Sequence, residues 1–243
     1  MYEIACLVDK GVGDHGNDDR CYIGNHVVSD GFFELHNEPF IFAGVCDGAG
    51  GESFGFEAAD TAAQLMSRNS LPEVNSGFIC RLIEEANEAI LIRQKTDSEH
   101  SRMASTIAGI VVHDNDMLAF NVGDSRVYRY REPYIAQLSK DHSLSEEMID
   151  IGLEPKPGQE HVITKYLGGA AHNPYIFMGE GKSFEDDIYL ICSDGISDVI
   201  TNEDFEEVLQ SSKSLREKCR MLVDLAAEKG SDDNLSVIIT RRK

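Results

Sequence analysis

Basic residues are scarce in this chain. Its 243 residues carry 22 Lys and Arg against 43 Asp and Glu, a formal net charge of −21. That balance excludes sequence-independent nucleic-acid binding, which needs basic surface, and it makes an acidic membrane surface an equally poor partner. No apolar run approaches the roughly 18 residues that would span a bilayer. The N-terminus, Met1 to Val8, alternates like a strand and shows neither a basic n-region nor an apolar h-region, so no signal peptide is expected. No Cys-x-x-Cys and no His-x-x-x-His occurs, so no zinc or dithiol signature is present. Cys6, Cys46 and Cys192 lie inside apolar runs and read as reduced core residues, which fits a reducing, cytoplasmic setting. Internal repeats, linkers and low-complexity tracts are missing too. A single domain over residues 1–243 is the expectation.

Against these absences stand a 42% hydrophobic content, enough for a sizeable core, and a series of strand-like runs. These are Tyr2 to Val8, Arg20 to Ile23, Phe40 to Cys46, Thr106 to His113, Met117 to Val122, Arg126 to Arg131, Ile188 to Cys192 and Leu235 to Thr240. Turn signals at Asp114-Asn115-Asp116 and Glu132-Pro133 join neighbours into hairpins. Helical spacing appears in Phe54, Ala58, Thr61, Ala62 and Leu65, and again in Phe78, Leu82, Ile83, Ala86 and Ile90. The expected break between them is Asn69-Ser70-Leu71-Pro72. Thr201 with Asp204, and Ser214 with Glu217, read as capping boxes opening two more helices. Met148 and Ile151 read as a short apolar helix face. Strands in runs and helices in pairs predict an α+β fold, antiparallel sheets covered by helix pairs. The glycine- and proline-rich stretch from Ser145 to Lys182 is expected to hold a flap.

Acidic residues recur at the ends of the apolar runs. Asp47-Gly48-Ala49-Gly50-Gly51 follows one run, Ser193-Asp194-Gly195 follows another, and Asp233-Asn234 precedes a third. Carboxylates converging at one end of a sheet repel each other and call for a cation. Oxygen-only ligation suits Mg²⁺ or Mn²⁺. Any one Asp-Gly alone is an ordinary turn.

These motifs have company: Asp9-Lys10-Gly11, Asn17-Asp18-Asp19, Ala104-Ser105-Thr106, Val122-Gly123-Asp124-Ser125-Arg126, Lys140-Asp141-His142-Ser143 and Gly230-Ser231-Asp232-Asp233-Asn234. In this order and spacing the chain resembles the metal-dependent type 2C protein serine/threonine phosphatases, in their short bacterial form, from residue 9 to about residue 240. The resemblance implies a four-layer sandwich, α/β/β/α. It implies hydrolysis of phosphoserine and phosphothreonine by a water bridging two ions of Mn²⁺ or Mg²⁺, with a weaker third ion. Asp47 would bridge both metals, the carbonyl of Gly48 would join the second, and Asp194 and Asp233 would complete the first. Asp18 and Asp19 would support the second, and Asp124 with Asp194 would hold the third. Asn234 would orient Asp233. The implied partners are phosphorylated proteins, a cognate serine/threonine kinase and its substrates; a monomer is expected.

Blander roles suit the other motif members. Ser105 and Thr106 read as backbone hydrogen-bonding groups, Ser125 as structural, Arg126 as the partner of a nearby carboxylate, and His142 as a non-ligand. The family's pattern is broken at three positions. The arginine that grips substrate phosphate would fall at position 14, where this chain has Asp14, with Arg20, Lys10 or His15 as conceivable stand-ins. Asp18 replaces the usual Glu, and Ala49 stands where some relatives have a histidine acid. Two alternatives therefore stay open: a phosphoprotein-binding pseudophosphatase, and a metal-dependent hydrolase of small phosphate esters.

Overall fold

The structure, a computed structural model, describes residues 1–14, 16–49, 54–69, 74–169, 174 and 176–242. Its strands are β1 (Tyr2–Asp9), β2 (Arg20–Ile23), β3 (His26–Val28), β4 (Gly31–Glu38), β5 (Phe40–Cys46), β6 (Gly48–Ala49), β7 (Ala104–Ser105), β8 (Ile107–His113), β9 (Asp116–Val122), β10 (Arg126–Arg131), β11 (Tyr134–Gln137), β12 (Phe177–Lys182), β13 (Ile188–Cys192) and β14 (Leu235–Arg242). The helices are α1 (Gly55–Ser67), α2 (Ser76–Thr96), α3 (Leu144–Asp150), α4 (Asp194–Ser197), α5 (Asn202–Gln210) and α6 (Leu215–Glu228).

Two antiparallel sheets face each other. One has the order β11-β10-β13-β14-β1-β4 and the other β12-β9-β8-β5-β2-β3, with β6 and β7 forming a short ribbon beside them. Alternation along the strands explains the layering. Ile4, Cys6 and Val8 of β1, Ile41, Ala43 and Val45 of β5, and Ile238 of β14 turn inward and form the core between the sheets. Their neighbours Ala5 and Leu7 turn outward, onto a second core with Phe205, Leu222 and Val223 of α5 and α6. On the opposite sheet Phe42 and Phe120 meet Ala58, Ala62 and Met66 of α1 and Ile83 and Ile90 of α2. The buried alanines of α1 let that helix lie close to the sheet.

Helix ends follow the capping chemistry. Asn75 accepts the N–H of Phe78 at the start of α2 at 3.1 Å. Both capping boxes form: Thr201 with Asp204, and Ser214 with Glu217, each exchange hydrogen bonds with the partner's backbone. The expected helix break from Asn69 to Pro72 falls mostly outside the described residues.

Three expectations need adjusting. Strands β3, β4, β6, β7, β11 and β12 have no counterpart among the expected runs. In β4 six of the eight residues are half-buried, His36 and Asn37 are exposed and none is fully buried, so the alternation is weak there. Phe177–Lys182, the last part of the stretch expected to hold a flap, is an edge strand paired with β9. Ile151 lies beyond the end of α3 and is 69% exposed, and α3 buries none of its residues, so the apolar helix face is not formed.

The capping boxes give a direct test. Thr201→Ala and Ser214→Ala each remove a side-chain acceptor from a helix N-terminus, a change costing about 1 kcal/mol. Urea unfolding should show each variant destabilised by about that amount with an unchanged m-value. A double variant should lose about the sum, because the two caps share no partner.

Candidate active site

Strand register gathers the acidic loops at one end of the sandwich. Arg20 pairs with Cys46, so the start of β2 and the end of β5 lie side by side, and Asp19 and Asp47 extend from that edge. Val45 pairs with Ala108 and Ile107 with Val122, which carries the edge across to the turn holding Asp124. In the other sheet Arg126 pairs with Cys192 and Cys192 with Val237, so Asp124, Asp194 and Asp233 share an edge as well. Strand ends far apart in sequence thus deliver Asp18, Asp19, Asp47, Asp124, Asp194 and Asp233 to one place.

Hydrogen bonds lock these loops. The Ser193 hydroxyl, just after β13, donates to Asp19 Oδ2 at 2.8 Å and so ties one sheet to the other. Asn234 works mainly through its side chain. Its Oδ1 accepts the Asp18 N–H at 2.8 Å, and its Nδ2 donates to the carbonyls of Lys10 and Gly16, each at 3.0 Å. Its backbone N–H donates to Asp233 Oδ1 at 2.7 Å, so the contact with that carboxylate runs through the main chain. Thr106 accepts the Asp47 N–H at 3.2 Å and shares a 2.7 Å hydrogen bond with Ser125, which bears out the structural reading of both hydroxyls. Arg126 pairs with Asp141 at 2.7 Å, as expected. His142 accepts the Gly123 N–H at Nδ1, 3.0 Å. Burial, with the charges of Lys165 and Lys140, pushes its pKa down to about 4, so the neutral ring that can accept is the form present.

Glycines set the close approaches. A Cβ on Gly48 would come within 2.4 Å of the Gly55 backbone and 2.8 Å of the Asp18 carbonyl. A Cβ on Gly55 would come within 2.7 Å of Gly48 O and 2.8 Å of Asp18 Oδ2. The carbonyl of Gly48 and the carboxylate of Asp18 therefore stand on the same side of one bare backbone point. Gly55 went unnoticed in the sequence because it looks like an ordinary helix start. Gly195 does the same at the other side: a Cβ there would sit 2.2 Å from Asn234 O and 3.2 Å from Asp233 Cβ.

The electrostatics are those of crowded carboxylates. Burial first, then the charges of Asp194 and Asp19, push Asp47 well above the usual carboxylate range. Burial pushes Asp124 up to about 8, with Asp194 adding to it, and pushes Asp19 up to about 7 with Asp194 and Asp233 adding. Asp194 is raised too, by burial and by Asp198. Among the described residues Asp124 Oδ1 and Asp194 Oδ1 are buried and have no hydrogen-bond partner. Asp233 is exposed. Among the described residues no three His, Cys, Asp or Glu side chains already form a closed set that could hold an ion. The donors gathered are nonetheless carboxylate and carbonyl oxygens, two of them buried and unpartnered. That chemistry fits a hard divalent cation and would not fit a soft one.

The candidate stand-ins for the missing arginine go elsewhere. Arg20 donates to the carbonyls of Asn17 and Asp19 at 2.9 and 2.7 Å and stands 3.6 Å from Asp60, so it braces the acidic loop from behind. Lys10 and Asp14 are exposed, and His15 lies outside the described residues, as do Gly50 and Gly51.

Comparison with known proteins agrees with this architecture. The sequence profile described as Protein phosphatase 2C matches residues 17–235. This chain belongs to the protein phosphatase 2C family. A serine/threonine phosphatase of Listeria monocytogenes is 27% identical to it over 248 residues, covering 92% of this chain and 93% of that one. Protein phosphatase PhpP of Streptococcus pneumoniae is 27% identical, covering 98% and 96%. The solved serine/threonine phosphatase of S. agalactiae superposes with a TM-score of 0.86 at 25% identity over the full length of both chains. The catalytic domain of the phosphatase PstP, solved in complex with two manganese ions, shares the fold at a TM-score of 0.82 and 24% identity.

The raised carboxyl groups make stability depend on pH. An unfolded aspartate titrates near 3.9, whereas Asp19 and Asp124 titrate at about 7 and about 8 in the fold. A raised folded value means the stabilisation is complete below the unfolded value and is lost as pH rises through the folded one. In EDTA, Asp124→Asn removes one such group. Its melting temperature relative to the parent protein should therefore climb between pH 5 and pH 9. A difference constant across that range would show that Asp124 ionises normally.

Proposed function

We propose that this chain is a metal-dependent protein phosphatase that hydrolyses phosphoserine and phosphothreonine at the carboxylate end of its sandwich. The observation that carries the reading is the convergence of Asp47, Asp124 and Asp194, each raised by burial and by its neighbours, beside the paired oxygens of Gly48 and Asp18. Within a protein phosphatase 2C chain, this is where ions are to be held: Asp47, Asp194 and Asp233 at one position, Asp47, Gly48, Asp18 and Asp19 at the next, and Asp124 with Asp194 at a weaker third. The manganese bound by PstP supports Mn²⁺ or Mg²⁺ as the ion.

Bound divalent cations would supply the Lewis-acid chemistry that phosphate-ester hydrolysis, among the slowest uncatalysed reactions, requires. The protein's part is positioning. Asp47 follows β5, which is buried from Ile41 to Cys46, and its N–H is fixed on Thr106. Asp19 is held by Ser193 across the two sheets. Asn234 clips the loop of Asp18 to that of Asp233. Each carboxylate is thereby preorganised, so little reorganisation is needed when charge develops at phosphorus. Ser125, hydrogen-bonded to Thr106, supports the frame and attacks nothing.

Phosphorylated proteins are the substrates of this class, and a cognate serine/threonine kinase shares them. The catalytic domain is the whole chain, 1–243, acting as a monomer in the cytoplasm, with the flap ahead of β12. No helix among the described residues is long and apolar enough to cross a membrane.

Turnover of a phosphothreonine peptide and of p-nitrophenyl phosphate with Mn²⁺ tests the reading. Both should be hydrolysed, and Asp47→Asn or Asp194→Asn should reduce the rate by at least a hundredfold with the fold intact. No turnover of either compound would leave a phosphoprotein-binding module. Turnover of the small ester alone would leave a small-ester hydrolase. Mn²⁺ should also raise the melting temperature of the parent protein: at a hundredfold excess over Kd the gain is about 2.7 kcal/mol. A melting curve indifferent to Mn²⁺ and EDTA would count against any metal site.

A further inference from the structure

A groove of about 310 Å³ opens beside Ala49, the residue that follows Asp47 and Gly48, and Arg102, Ile163 and Tyr166 line it. It is a built feature. The Gln94 amide donates to the carbonyls of Met103 and Gly168, both at 2.8 Å, and so clamps the two walls to α2. The Gly168 N–H is held by Asn87 Oδ1 at 2.8 Å. Ser105 and Leu167 exchange backbone hydrogen bonds of 3.1 and 2.8 Å, fixing the 163–168 segment against β7. At Gly168, with φ +86°, a Cβ would meet Ile90 at 2.7 Å and Met103 O at 2.8 Å, so the floor is close-packed. A ligand entering here would order little protein on binding.

Arg102 is the cation of this lining. It is exposed, and among the described residues it makes no hydrogen bond and no ion pair. Three other cations near the site are paired: Arg126 with Asp141, Lys165 with Glu147 and Arg20 with Asp60. In a chain of net charge −21, an arginine left unpaired next to the reaction centre is a reserve of five donors for an incoming anion.

We propose that this groove seats the residues flanking the phosphorylated side chain, and that Arg102 selects substrates carrying an acidic side chain near the phosphoresidue. The inference rests on the phosphatase reading above. An extended peptide advances about 3.3 Å per residue, so one whose phosphate lies at Asp47 and whose chain passes Ala49 brings a neighbouring side chain to Arg102 within a few residues. Tyr166 and Ile163 give the peptide an apolar wall. A chain of net charge −21 repels acidic substrates, and Asp14 adds to that negative surface. Arg102 offsets that repulsion at one point, which converts it into selectivity.

The test compares two phosphothreonine peptides of equal length, one with Glu and one with Gln at the positions flanking the phosphothreonine. The parent protein, Arg102→Gln and Arg102→Glu are each assayed with Mn²⁺. Exposed charge pairs and charge-assisted hydrogen bonds together set the scale. The parent should favour the Glu peptide by about three- to tenfold in kcat/KM, chiefly through KM. Arg102→Gln should abolish the preference and Arg102→Glu should reverse it. Because Arg102 is exposed, all three proteins should melt alike. Equal kcat/KM for both peptides in the parent, or a Glu preference that persists in Arg102→Glu, would overturn the assignment of Arg102 while leaving the phosphatase reading intact. Failure of the parent to hydrolyse either peptide would overturn the phosphatase reading and, with it, the assignment.

Discussion

Carboxylates buried against carboxylates are the constraint on which this structure turns. Asp19, Asp47, Asp124 and Asp194 lie where burial and mutual repulsion both disfavour charge. An unaided protein would avoid such a cluster, because like charges out of water are costly. The surrounding fold over-determines it. Each acid sits one or two residues from the end of a strand whose register is fixed by two ladders of hydrogen bonds, one to each neighbour. Moving any one of them out of the site would mean shifting a buried strand by a residue, which turns its core face to the other side of the sheet. Functional sites are where strain of this kind is tolerated, because a ligand relieves it.

The two-sheet layout makes this possible. Asp18, Asp19 and Asp47 come from one sheet, and Asp194 and Asp233 from the other, so the site is a seam between the sheets. Ser193 crosses that seam to Asp19, and Asn234 crosses it to Asp18. The helix pairs lie on the outer faces, α1 and α2 on one sheet and α5 and α6 on the other. They leave the strand ends open while burying both outward faces. The groove beside Ala49 adds a third source of site residues, since its walls are drawn from β7, α2 and the 163–168 segment.

Much of this was readable in the chain. The strands at Phe40–Cys46 and Ile188–Cys192 fall where apolar runs bounded by turn residues placed them, because a strand buried on both faces declares itself by continuous hydrophobicity. The capping boxes at Thr201 and Ser214 were equally legible, since their logic is local. Strand β4 was not, because its half-buried residues lack clean alternation. Strand β12 was not, because its glycines, Gly179 and Gly181, imitate a loop while pairing with β9. Arg20 was weighed as a phosphate ligand on type and position alone, and only the folded chain shows its guanidinium spent on the carbonyls of Asn17 and Asp19.

The sequence by itself determined which residues could form the site, since acidic residues at the ends of buried strands, in a fixed order, are a local property of the chain. It also determined the layer types, through the periods of its hydrophobic pattern. Tertiary structure alone decided which of those residues meet. Gly55 opens the space where Gly48 O and Asp18 Oδ2 stand together. Gln94, more than sixty residues from Gly168, closes the groove wall. Arg102 remains without an acidic partner among the described residues, although the chain holds 43 carboxylate side chains. Pairing and its absence are set by distance in space, which depends on strand register and helix placement across the whole chain, and no local window of sequence contains them.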